Sequence, residues 1–317
     1  MDEWKQKLID FWENIRINNA KGERFQVDLS GWRKESHIPY TGDYHPMHVL
    51  NLYYPEDWDP SKGKLPTIID IHGGGWLYGT VDESERYLAW LASRGYAVMA
   101  MSYRLLDETD LSGIVSDIYD AIHWLEQFGP ERGFDLGKVL LTGDSAGGHL
   151  SGLVACIQES AEMQKAYGVK AFGFDISALC LCCPCSEMDR LYIMDSEESE
   201  AGRKSAEAYY EMMLGEQGDA APWKGKMSLS EAMRGVKLPP LLLIGSETES
   251  LYAQSEMLIR ALEEEGQDFE TLIWKKEEAI HLQHVFNISH WEWRESIISN
   301  SRMLEFFDKA AAGRTLL

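Results

Sequence analysis

The sequence predicts an α/β fold with a mostly parallel central sheet and helices on both faces. Strand-length apolar runs alternate with amphipathic helix-length stretches along the 317 residues, as expected when helices cross between parallel strands. Glycines cluster where two of those runs end, at Gly73-Gly74-Gly75 and around Ser145 in Gly143-Asp144-Ser145-Ala146-Gly147-Gly148. No run reaches the roughly 20 apolar residues of a membrane span.

From the N-terminus, Met1 to Asn18 sets Trp4, Leu8, Phe11, Trp12 and Ile15 on one face, which predicts a helix resting on the body. Val49 to Tyr54 alternates like an edge strand. Thr67 to Ile71 and Ala97 to Ser102 are buried strands, separated by a helix around Glu83 to Ser93. Ser112 to Phe128 spaces Ile114, Ile118, Ala121, Ile122 and Leu125 as a helix does, and Gly129-Pro130 ends it. Val139 to Thr142 reads as the strand before Ser145, and Ala146 to Ile157 as the helix after it. Further strands are predicted at Gly173 to Cys182, Leu241 to Ile244 and Glu270 to Trp274, with a last helix near Ser296 to Phe307.

One stretch breaks the alternation. Ser186 to Val236 is acidic, rich in methionine and tyrosine, and too long for an ordinary connection. It is expected to form a cap of one or two helices over the carboxyl edge of the sheet, where ligands bind in such folds. Without repeats or a clear linker, residues 1–317 form a single domain.

Composition narrows the function. Thirty basic against 52 acidic residues give a formal charge of −22, which repels nucleic acid and anionic membranes. The opening Met1-Asp2-Glu3-Trp4-Lys5 has no signal-peptide core, so a cytoplasmic protein is expected. Cys156, Cys180, Cys182, Cys183 and Cys185 are odd in number, and four crowd one apolar segment. They lack the paired Cys-x-x-Cys halves of a zinc site and read as buried reduced thiols.

The chemistry lies in the two glycine clusters. A serine on a sharp strand-to-helix turn needs glycines two residues either side, where side chains would collide with the neighbouring strand and helix. Gly143 and Gly147 satisfy that need around Ser145. His72-Gly73-Gly74-Gly75-Trp76 follows another strand, and its bare amides suit an oxyanion hole. It lacks the Gly-Lys-Ser/Thr ending of a phosphate loop. A serine nucleophile also requires a histidine base and an orienting acid, in the chain order Ser, acid, His. His281 and His284 both follow the last strand.

Taken together, His72-Gly73-Gly74-Gly75-Trp76 and Gly143-Asp144-Ser145-Ala146-Gly147-Gly148 resemble the α/β-hydrolases of the hormone-sensitive-lipase-like esterase group, over about Val49 to Asn287. The resemblance implies an α/β-hydrolase fold, Ser145 as nucleophile, and the amides of Gly74, Gly75 and Ala146 as oxyanion donors. It favours His284 over His281 as base, because Gln283-His284-Val285-Phe286 is similar to the family's Gly-His-x-Phe ending, with Gln283 in place of the glycine. The family's aspartate, a few residues past a strand and just before a leucine, is missing from Gly245-Ser246-Glu247-Thr248-Glu249-Ser250-Leu251. Aligning on Leu251 puts Glu249 there, with Glu247 as the alternative.

Asp144 is expected to hold the serine turn, and His72 to shape its loop rather than move protons. Trp76, Tyr78 and Tyr103 are expected as pocket walls, whereas Glu187 and Asp189 open the insertion as isolated carboxylates. The expectation is a serine esterase for small acyl or aryl esters, acetylated carbohydrates and phenolic esters included, needing no metal or other cofactor. A formamidase-like amide hydrolase and a non-catalytic binding protein on the same fold are the alternatives. The insertion or the last helix offers a homodimer contact.

Overall fold

A computed structural model describes residues 3–21, 30–191 and 199–313. Eight strands form one sheet in the order β1-β2-β4-β3-β5-β6-β7-β8. They are β1 (Trp32–Pro39), β2 (Val49–Pro55), β3 (Leu65–Ile71), β4 (Ala97–Met101), β5 (Phe134–Asp144), β6 (Ala178–Cys182), β7 (Leu241–Ser246) and β8 (Phe269–Trp274). β1 and β2, and β2 and β4, pair antiparallel; the remaining pairs are parallel.

Alternation along each strand sends successive side chains to opposite faces. Ile69, Ile71, Leu141 and Leu179 belong to one core, which includes residues of α3 (Leu111–Phe128) and α4 (Ala146–Gln158). Ile68, Leu140, Cys180 and Leu242 belong to the other, with residues of α2 (Glu85–Ser93) and α10 (Arg294–Ala311). All five cysteines are free and buried.

The order of strands positions the site. The chain passes from β3 to β4 on one side, then returns across β3 to lay down β5 on the other. A crevice opens at the carboxyl ends of strands where the winding reverses. The triple glycine follows β3 and Ser145 follows β5, so both sequence clusters arrive at that crevice.

Some elements differ from the sequence expectation. β2 is an inner strand, because β1, which the sequence reading passed over, pairs along it from Trp32–Pro55 to Pro39–Val49. The strand expected from Gly173 begins only at Ala178. Three further helices, α5 (Ala161–Tyr167), α8 (Tyr252–Glu264) and the short α9 (Phe286–Ser289), lie outside that expectation. In the long insertion, α6 (Glu200–Leu214) and the short α7 (Leu229–Ala232) are helical; positions 192–198 lie outside the described residues. α6 meets the N-terminal helix α1 (Glu3–Lys21), with Lys5 paired to Glu211 at 3.0 Å and the Trp12 indole N–H donating to the Tyr209 hydroxyl. The expected helix over Met1 to Asn18 is α1, apart from Met1 and Asp2, which lie outside the described residues.

Candidate active site

Ser145 occupies φ +51°, ψ −117°, a strained conformation held because the surroundings over-determine it. Its N–H donates to the Cys182 carbonyl at 3.0 Å, and its own carbonyl accepts the Cys185 N–H at 3.1 Å. The glycines are sterically required. A Cβ on Gly147 would sit 1.9 Å from the Ile71 carbonyl oxygen, and one on Gly143 would sit 2.5 Å from the Gly147 oxygen. The end of β3 and the start of α4 thus press on the turn and leave the Ser145 Oγ facing the crevice.

The loop after β3 is tied to this turn by Asp144, whose Oδ1 accepts the Gly73 N–H at 3.0 Å. Burial raises the Asp144 carboxyl to about 6, with the Gly73 hydrogen bond opposing the rise. Gly74 and Gly75 have φ of +111° and +57°. The Gly74 carbonyl accepts the amides of Leu77 at 3.1 Å and Tyr78 at 2.9 Å, which fixes the turn. Ala146 is the first residue of α4, so its N–H has no carbonyl one turn earlier in the helix. His72 is buried with Nδ1 donating to the Gly73 carbonyl at 2.7 Å, and its ring stacks on Tyr103 at 4.3 Å. Burial lowers it to about 4, which leaves a neutral ring shaping the loop.

His284 brings three separate segments together. Its Nε2 lies 2.9 Å from Ser145 Oγ and its Nδ1 lies 2.5 Å from Glu249 Oε2. The Glu249 side chain is fully buried, and Oε2 also accepts the Leu251 N–H at 3.1 Å. The Thr248 hydroxyl donates to the Leu282 carbonyl at 2.8 Å, joining the loop that carries the acid to the loop that carries the histidine. The two alternatives lie elsewhere. Glu247 pairs with Lys275 at 2.8 Å and accepts the Lys276 N–H, while His281 faces Glu295 at 3.6 Å and packs edge-on against Trp293.

Ser145 and His284 open into a cavity of about 770 Å³, whose walls include Trp12, Ile15, Tyr78, Val285, Ile288 and Trp291. Of the three aromatics expected as walls, Tyr78 is among its lining residues; Trp76 and Tyr103 are not. Both are fully buried: Trp76 packs edge-on against His149 and Tyr209, and the Tyr103 hydroxyl donates to the His72 carbonyl at 2.7 Å. Both follow glycine loops or strands, as wall residues do, but the covering helices leave them no route to solvent.

Sequence reasoning placed Trp12 on a buried face without a target, and overlooked that Cys185 Sγ comes within 3.7 Å of Ser145 Oγ. Nothing in the local spacing could have named either contact. Glu187 reaches the Ser230 hydroxyl at 2.7 Å and does not join the Ser145 cavity lining. Asp189 lines a separate surface pocket with Arg203 and Tyr210. Among the described residues, Cys183, Glu249 and His284 bring potential metal-ligating atoms within 4.8 Å of one another.

Residues 68–284, more than half of the chain, match the family model described as an alpha/beta hydrolase fold. The chain belongs to this family, within its hormone-sensitive-lipase-like esterases. It is similar to the crystal structure of esterase B from Lactobacillus rhamnosis, with 39% identity and a TM-score of 0.91 over 98% of this chain and 96% of that one. The same esterase B, in a crystal structure with a C4-C4 SN3 tributyrin phosphonate, gives 39% identity and a TM-score of 0.91 over 99% of this chain and 97% of that one. Probable carboxylesterase 6 of Arabidopsis thaliana is 35% identical over 119 residues, 35% of each chain. The matched stretch spans about a third of the length of such curated relatives. Among the described residues, no helix is long and apolar enough to cross a membrane.

Proposed function

We propose that this protein is a serine carboxylesterase that cleaves small acyl or aryl esters through an acyl-enzyme. The observation that carries this reading is the imidazole of His284 held between Ser145 Oγ at 2.9 Å and Glu249 Oε2 at 2.5 Å. Ser145 attacks the ester carbonyl and passes its proton to His284 Nε2, while Glu249 accepts the Nδ1 proton and stabilises the imidazolium. The amides of Gly74, Gly75 and Ala146 stabilise the oxyanion. His284 then protonates the leaving alcohol, and water, activated by the same ring, releases the acid and regenerates Ser145.

The cavity favours neutral esters. Its apolar walls accept alkyl or aryl groups, while the acidic balance of its lining, Glu83, Glu85 and Glu292 against Arg86, disfavours anionic ones. Esters of the tributyrin kind, suggested by the inhibitor in the related esterase B structure, and short acyl esters of sugars or phenols share that chemistry. The insertion acts as a cap, since α6 reaches Trp12 of the cavity wall through Tyr209.

Ser145→Ala tests the reading. Hydrolysis of p-nitrophenyl acetate and labelling by a fluorophosphonate should both vanish, the rate falling by about 10⁶-fold. Unchanged turnover by the alanine variant would sink the proposal.

A further inference from the structure

The N-terminal helix α1 lines the Ser145 cavity with Trp12 and Ile15, and Trp12 lies against the glycine loop. A Cβ built on Gly75 would lie 2.2 Å from Cζ2 and 2.6 Å from Cε2 of Trp12, so the indole occupies the space beside that backbone. The same ring stacks on Tyr78 at 6.2 Å with 10° between planes, and its N–H donates to the fully buried Tyr209 of α6. Tyr209 packs edge-on against Trp76, and Trp76 against His149 of the nucleophile's helix. Trp12 is therefore clamped on two sides, and its edge forms a fixed wall of the Ser145 cavity.

We propose that Trp12 is a specificity-determining residue: its indole fills the space beside Gly75 and limits the length of acyl chain that the site accepts. This inference rests on the esterase reading. Because His284 must protonate the leaving oxygen, the alcohol lies on the His284 side of the reacting carbonyl, towards Val285 and Ile288. In this proposal the acyl chain then runs away from His284, along the glycine loop that Trp12 and Tyr78 flank. A ring held by a hydrogen bond and a stacking partner does not swing aside for extra methylenes. The longer chain must leave them outside the cavity or strain the glycine loop.

The test compares kcat/KM on two ester series, one with p-nitrophenol as alcohol and acyl chains from acetyl to octanoyl, the other with acetate as acid and alcohols of growing size. In Trp12→Ala the octanoate-to-acetate ratio should rise by about 10-fold or more, the discrimination an apolar wall provides per misfit methylene or two. The order within the alcohol series should hold. Trp12→Phe, which keeps a ring but lacks the outer indole edge, should shift the ratio the same way by less, and it serves if the alanine variant does not fold. Equal loss on every acyl chain, or a change confined to the alcohol series, would overturn the proposal. A wild-type protein inert toward both series would instead overturn the esterase reading on which it rests.

Discussion

The turn after β5 and the turn after β7 both lead from a strand to a helix at the same edge of one sheet, yet they deliver their side chains under opposite constraints. The first holds Ser145 at φ +51° with backbone pressed against it from β3 and α4. The second carries Glu249 four residues past Gly245, at a negative φ, with its carboxylate fixed by Leu251 N–H and His284. On the proposed reading Ser145 is a nucleophile that must be presented at one angle, so its backbone is over-determined and its neighbours must be glycine. On the same reading Glu249 needs only to reach the histidine from a dry position, so its backbone is held less tightly.

That contrast can be broken first at the glycines. Gly147→Ala puts a methyl 1.9 Å from the Ile71 carbonyl, a backbone atom that cannot yield. It should give no folded protein, or a destabilisation above about 4 kcal/mol by thermal melting.

The acid loop should forgive more. Glu249→Asp withdraws the carboxylate by about one methylene, and kcat on p-nitrophenyl acetate should fall by about 10- to 100-fold with KM little changed. A fold-change as large as that of Ser145→Ala would mean that the acid is as tightly specified as the nucleophile.

Asp144 gives the contrast a pH dependence. Burial raises its carboxyl from 3.8 to about 6, so between those values the folded state holds a proton that the unfolded state has released. Stability from this group is therefore lost as pH rises from about 4 to about 6. The loss amounts to as much as about 3 kcal/mol at 1.36 kcal/mol per pKa unit. Asp144→Asn keeps an oxygen for the Gly73 N–H and removes that slope. Urea melts at the two ends of the window should show the variant gaining on the wild type towards higher pH.

The smallest effect belongs to Gly245→Ala. The new Cβ meets the Ile273 Cδ1 at 3.1 Å, the movable tip of a side chain, and the Ser255 Oγ at an ordinary 3.7 Å. A change in stability under about 1 kcal/mol is expected from such mild crowding. A collapse comparable to Gly147→Ala would erase the distinction between the two turns.

The same distinction explains what could be read in the sequence. The constraint at Ser145 is local, so it left a pentapeptide, and the loop after β3 left three glycines. Glu249 left no motif of its own, and only alignment on Leu251 singled it out from Glu247. β1 was passed over because Arg33, Lys34 and Glu35 interrupt any apolar alternation; β2 supplies its hydrogen bonds. Trp12 was visible as part of an apolar stripe, but its contact with Gly75 joins positions far apart in the chain. Trp76 and Tyr103 misled because an aromatic after a strand looks alike whether it walls a cavity or is covered by Tyr209 or His72.

Whether His284 couples Ser145 to Glu249 is decided by kcat on p-nitrophenyl acetate for Glu249→Gln and Glu247→Gln measured side by side. The first should fall by about 10³- to 10⁴-fold, because the imidazole loses its orienting carboxylate. The second should change within about twofold, since its partner is an exposed lysine. A Glu249→Gln enzyme that keeps its rate, or a Glu247→Gln enzyme that loses it, would mean that Glu249 does not orient His284.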